Sequence, residues 1–331
     1  MSGAVNDPAP STNPTGNSYV RRKIDLTITL GKGEFGGAGK NTVKLSGLRV
    51  VATVNKATYP SSDSAHIRVY GVQPSIINQI STLGINPTRA RQNNYIQIEA
   101  GDDTNGMALV YGGSIQNAWQ ALDDAPETSL NIEGLGAVID ALKPAQPISF
   151  PGSADVATVM SGIAARMGRP FENSGVQVKI SNPYLSGTLK DQAYALARAA
   201  NVQIYLDSTV PNGALAIWPQ GKTRDGMIPL ISAASGLVGY PQYRDTAMEF
   251  KCIFNPNIRI GGQVEIRTSV GESSQNRTAR ETTAAGQDKN IGGPNGIWYV
   301  TGPVTYDLAS EIPGGPWFTD TTCMRVRGPS K

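Results

Sequence analysis

Lys23-Ile24-Asp25-Leu26-Thr27-Ile28-Thr29-Leu30 places an apolar residue at every second position and a polar residue between each pair. That period marks a strand with one face buried and one face wet, because successive side chains leave a pleated backbone on opposite sides. Working outward from it, the same rhythm continues at 43–45 and 48–54, at 67–70, at 95–100 and at 129–132. Pro74-Ser75 opens a short helix over 76–83, stopped by Gly84. Gly112-Gly113 between 109–111 and 114–119 reads as the turn of a hairpin. Residues 21–150 therefore predict a small antiparallel barrel with one helix.

The pattern then changes. Val156, Val159, Met160, Ile163 and Ala164 recur at helical spacing across 155–167, and Gly168 ends the run. A strand follows at 176–180. Thr188 with Asp191 three residues on forms a capping-box signature, and Leu189, Ala193, Leu196 and Ala197 give the second helix one apolar face. Strands at 202–206 and 215–218 can pair as a hairpin. Residues 151–222 thus read as a compact α/β module. From 223 to 331 strands return, clearest at 248–254, 263–268, 297–304 and 324–326. Residues 271–296 form a long polar loop, either disordered in the free subunit or a contact loop that orders on binding. Residues 1–20, small, polar and rich in proline, predict a flexible arm.

Composition supports a strand-and-turn protein. The 331 residues include 37 glycines and 22 prolines, the residues turns require, and only 17% are charged. The net charge of +3 comes from scattered Lys and Arg, with Arg21-Arg22-Lys23 the densest group, so no nucleic-acid-binding face is expected. Cys252 and Cys323 stand apart from any CxxC pair and read as reduced, partly buried thiols. No signal peptide and no membrane segment is recognised, which predicts a chain made soluble in the cytoplasm.

The motifs that suggest chemistry fail on their surroundings. Gly31-Lys32-Gly33-Glu34-Phe35-Gly36 matches GxGxxG, but a dinucleotide site needs a helix next, and a second strand follows instead. It reads as a glycine-rich hairpin tip. The Walker-like fragments at Gly39-Lys40 and Gly221-Lys222-Thr223 lack their first glycine. His66, the only histidine, sits in a strand and serves neither a triad nor a metal site by itself. Asp102-Asp103 and Asp123-Asp124 look like turn caps rather than glycosidase carboxylates, since neighbours on a strand point apart. No catalytic, cofactor-binding or metal-ligating residue is assigned. Two aromatic turns remain, at 240–243 (YPQY) and 313–318 (PGGPWF), and each reads as a core plug or an interface anchor.

In order along the chain, 67–71 (IRVYG), 76–84 (IINQISTLG), 98–102 (IEAGD), 110–115 (VYGGSI), 171–176 (FENSGV), 182–188 (NPYLSGT), 215–219 (LAIWP), 229–232 (PLIS), 236–241 (GLVGYP) and 313–318 resemble the baseplate hub proteins of contractile-tailed phages. The resemblance spans nearly everything after residue 20. It implies a mainly β fold, with two small antiparallel tube-protein-like barrels at 21–150 and 223–331 flanking the α/β insert at 151–222. It further implies a non-enzymatic virion protein of the tail baseplate: a homotrimer joining the six-fold tail tube to the three-fold tail spike, beside wedge and tape-measure proteins. Two other readings stay open, the hub of a phage-derived contractile injection particle and a carbohydrate-binding surface module using Trp317 or Tyr240.

Overall fold

A computed structural model of the chain describes residues 20–36, 39–81, 94–122, 127–138, 144–209, 213–244, 247–268 and 294–325. The expected arm through residue 19, Asp123-Asp124, residues 82–84 at the end of the expected first helix and residues 271–293 of the long loop lie outside them; that helix itself already stops at Ile80, where Ser81 turns extended at ψ 132°.

The alternation that opens the chain sets its first strands. β1 (Arg22–Thr29) turns Ile24, Leu26 and Ile28 inward and pairs antiparallel with β2 (Thr42–Leu45) and with β5 (Tyr95–Asp102), where Leu26 faces Ile98. Burying each such side chain is worth about 1.5–3 kcal/mol. β6 (Gly106–Ala121), β7 (Ser129–Leu135), β4 (Ser64–Tyr70) and β3 (Val50–Lys56) follow in space, and α1 (Pro74–Ile80) buries Ile77 and Ile80 in the same core. The later strands form a second set, in which β16 (Leu237–Arg244), β17 (Ala247–Ile253), β20 (Trp317–Arg325) and β19 (Gly296–Ser310) lie in spatial order. β18 (Gln263–Arg267) pairs with β19, and β15 (Leu230–Ser232) runs parallel to β18.

One strand sews the two sets together. The first residues of β19 pair with β18; after a bulge between Val300 and Val304, the rest pairs with β3, from Val304 opposite Lys56 to Ser310 opposite Val50. Among the described residues thirteen strands thus form a single sheet.

Between the sets lies the α/β insert. α2 (Val156–Met167) is capped by Asp155, which accepts from the Thr158 amide at 2.9 Å, and is closed by Gly168 in the left-handed conformation at φ 70°. α3 (Leu189–Ala199) begins at the Thr188–Asp191 capping box and packs against α2. β13 (Val202–Asp207) and β14 (Ala214–Pro219) form the expected hairpin, with β10 (Phe171–Asn173) parallel to β14. Short ribbons, β8 (Ile148–Ser149) with β12 (Tyr184–Leu185) and β9 (Ser153–Asp155) with β11 (Lys179–Ser181), complete the insert. The hairpin is buried on both faces. Ile204, Leu206, Leu215 and Ile217 face the two helices, while Tyr205, Ala216 and Trp218 enter the core of the large sheet.

Two expectations are corrected. Gly112-Gly113 is no turn: β6 runs through both, and the chain reverses at Asp102–Gly106, where Asp102 accepts from the amides of Thr104 and Asn105 at 2.8 and 2.6 Å. The glycines serve close approach. A Cβ on Gly113 would strike the Tyr111 hydroxyl, and one on Gly134 across the ladder would lie 2.8 Å from it. Tyr240 to Tyr243 lies inside β16, an edge strand whose Pro241 costs no ladder bond on its free side. Trp317 begins β20 and is the core plug of the two roles its turn allowed. It is 5% exposed and meets Phe254 edge-on, with ring centroids 5.2 Å apart.

Candidate functional site

The residues that suggested chemistry stand apart. Gly31 to Gly36 belongs to the β1–β2 connection, tied by Leu30 N–H to Asn41 carbonyl at 2.7 Å. His66 on β4 has a largely exposed side chain, with Nδ1 3.7 Å from Glu133. Asp103 pairs with Lys23 at a turn. Cys252 and Cys323 are fully buried free thiols, fully rather than partly enclosed, and burial pushes the Cys252 thiol up to about 12. Among the described residues no group of three His, Cys, Asp or Glu is placed to hold a metal, and no helix is long and apolar enough to cross a membrane.

What the fold does assemble is a buried charged junction where the insert meets both strand sets. Arg224 follows the β14 hairpin. It grips Glu172 of β10 with two bonds, Nε to Oε1 at 3.0 Å and Nη2 to Oε2 at 2.7 Å, and gives Nη1 to Asp207 of β13 at 3.1 Å and to the Ile260 carbonyl at 3.1 Å. Arg259 adds a bond to Glu172 at 2.9 Å. A forked guanidinium suits this two-carboxylate arrangement, and each bond is charge-assisted. Burial works against the Asp207 charge, but Lys56 and Arg224 outweigh it and hold the carboxyl down to about 2. Glu172 is likewise lowered, burial being outweighed by Arg224.

Lys56 and Asp63 complete the junction from the first strand set. Lys56 ends β3 on the inward row of Val50, Ala52 and Val54, with its ammonium 4.9 Å from the Tyr306 ring centre. Burial lowers its pKa against the pull of Asp207 and Asp63. Asp63 accepts from the Ala57 amide at 3.0 Å, from the Tyr205 hydroxyl at 2.9 and 2.8 Å, and from the Ser208 hydroxyl. None of these groups was singled out by sequence. The one readable signal was Lys56, in phase with the apolar row of its strand.

The outer surface supplies the second feature. Among the described residues the sheet ends on β2, on β16 and on the short β15. Exposed apolar side chains gather beside the last of these. Ile297 lies opposite Glu265, which also faces Leu230, and Met227 and Ile228 precede that strand with Pro229 between.

A mainly β protein with an α/β insert is the class this architecture defines, and solved structures share the fold. The tail protein from Neisseria meningitidis MC58 superposes with a TM-score of 0.54 at 8% identity, over 91% of this chain and 96% of that one. The prophage MuSo2 43 kDa tail protein from Shewanella oneidensis gives 0.54 at 10%, over the same shares. The E. coli c3393 protein, a component of the type VI secretion system, gives 0.51 at 8%, over 92% of this chain and 79% of that one. No curated protein matches in sequence. A family model described as baseplate hub gp41 matches residues 24–277, and the chain belongs to that family. Its role is therefore structural, in a phage tail baseplate, as a component of the virion.

Proposed function

We propose that the chain is the central hub of a contractile tail baseplate, three copies closing into a ring that joins the six-fold tail tube to the three-fold spike. In this reading 21–150 and 223–331 are two tube-like barrel units and 151–222 is an insert between them. Three chains then offer six units around an axis. The observation that carries the reading is the single sheet made by two strand sets through the β3–β19 ladder. Its unlike free edges, β2 and β16, suit head-to-tail closure, in which each copy presents one edge to the other edge of its neighbour. The apolar side chains of Met227, Ile228 and Ile297 would be covered in the assembly. The free energy comes from burial at interfaces, and the role includes no catalytic step. The partners are the tube protein, the spike, and baseplate wedge and tape-measure proteins, with assembly in the host cytoplasm.

Light scattering on the purified chain, with electron microscopy of tails, tests this. A mass near three times 35.0 kDa and density at the tube–spike junction are expected. A monomer at high concentration, absent from purified tails, would overturn it. A second reading, the hub of a phage-derived contractile injection particle, draws on the shared fold of c3393. Neighbouring capsid and terminase genes decide for the phage.

A further inference from the structure

The two fully buried carboxylates of the junction sit in opposite settings. Asp207 is bound by the Arg224 guanidinium. Asp63 is 3% exposed and receives its hydrogen bonds from neutral donors, the Ala57 amide and the hydroxyls of Tyr205 and Ser208, with no ion pair reaching it among the described residues. The void beside it, lined by Ser61, Ser62, Gly136, Tyr194 and Leu206 among others, measures about 10 Å³, room for one water at most. Every element packed around it contributes a group to its field: Lys56 from β3, Tyr111 from β6, Tyr194 from α3, Tyr205 and Asp207 from β13, and Tyr306 from β19. Arg224 and Arg259 stand behind Asp207. Lys56, whose charge acts on Asp63, is shared with Asp207, and Lys190 of α3 donates to Ser62 beside the void at 2.8 Å.

We propose that this junction is a proton-sensitive clasp: on mild acidification Asp63 takes up a proton while Asp207 stays ionised, and the insert is held more tightly to the sheet. Burial raises the Asp63 carboxyl to about 6, against the opposing pull of Ser208, Lys56 and Tyr205. An unfolded aspartate titrates near pH ~3.9. Across the interval between these values the folded chain holds a proton that the unfolded chain lacks, so stability climbs as pH falls through 6. Below the lower value the gain is complete. Asp207 has the opposite sign, and its contribution is lost as pH falls from about 4 toward 2.

The test follows thermal unfolding of the full chain from pH 8 to pH 4.5, for the wild type, Ser208→Ala and Asp63→Asn. The wild-type midpoint is expected to climb by several degrees as pH falls through about 6. Ser208→Ala removes a donor that favours the charged carboxylate, so its climb starts at higher pH. Asp63→Asn lacks the climb. Amide exchange in β13, corrected for its intrinsic pH dependence, slows over the same window. A wild-type midpoint that is flat or falling there, a Ser208→Ala profile that is unmoved or shifted to lower pH, or unchanged exchange in β13 would each overturn the clasp. Should Asp63→Asn fail to fold, the wild type and Ser208→Ala decide the matter.

Discussion

Arg224 shows how much one side chain can carry in this fold. Its guanidinium is buried and answers both Glu172 and Asp207, so removing it leaves one fully buried carboxylate and one partly buried carboxylate without their main partner. Arg224→Met, which keeps the volume, is expected to cost about 3–5 kcal/mol in urea unfolding. Arg224→Lys recovers part of that, since an ammonium is a point charge and cannot fork. A loss below about 1 kcal/mol would show that the junction does not depend on this pair. At this scale the sequence was least legible. Arg224 lies in a polar run, and Asp63 stands among serines with no apolar neighbour to signal burial. What buries Asp63 is Tyr205, far along the chain, and no local pattern encodes that meeting.

Elements were read more reliably, because periodicity is a local property. Thr188 receives the Asp191 amide on its hydroxyl at 3.1 Å, and the Asp191 carboxylate takes the Thr188 amide at 3.1 Å, as the capping signature implied. Thr188→Ala is expected to destabilise the chain by about 1 kcal/mol, seen as a lower denaturant midpoint with unchanged slope; no change would mean that the cap is redundant with helix packing. The first strands, both insert helices and the β13–β14 hairpin follow from spacing alone. A glycine pair is the usual hairpin signal, whereas here the Tyr95 hydroxyl at Gly112 and the Tyr111 hydroxyl at Gly113 leave no room for a side chain. β19 and β20 extend well beyond the segments first recognised. Their added residues include Thr305, Asp307 and Asp320, whose polar side chains sit on the outer face of a sheet that is buried only on the other.

For the whole molecule, mainly β with an α/β insert was legible, and the joining of the two strand sets was not. Pairing of β3 with β19 is a choice between many edges, and nothing in either segment names the other. The two sets also share one apolar core, which includes Ile24 and Leu26 from the first and Val304 and Leu308 from the second. Native-state hydrogen exchange is therefore expected to report β3 and β19 opening as one cooperative unit. Two separate exchange energies, one for each strand, would count against a shared core.

The long reach of β19 also bears on how the protein is made. β3 leaves the ribosome with its inward row of Val50, Ala52 and Val54 complete, yet the residues that pair with it, from Val304 onward, have not been synthesised. At about 5–20 residues per second the wait is on the order of tens of seconds. During that time β3 offers an unpaired ladder to any other strand nearby, including the β3 of a chain on the next ribosome. The nascent chain therefore has to keep that ladder from foreign strands until β19 has emerged.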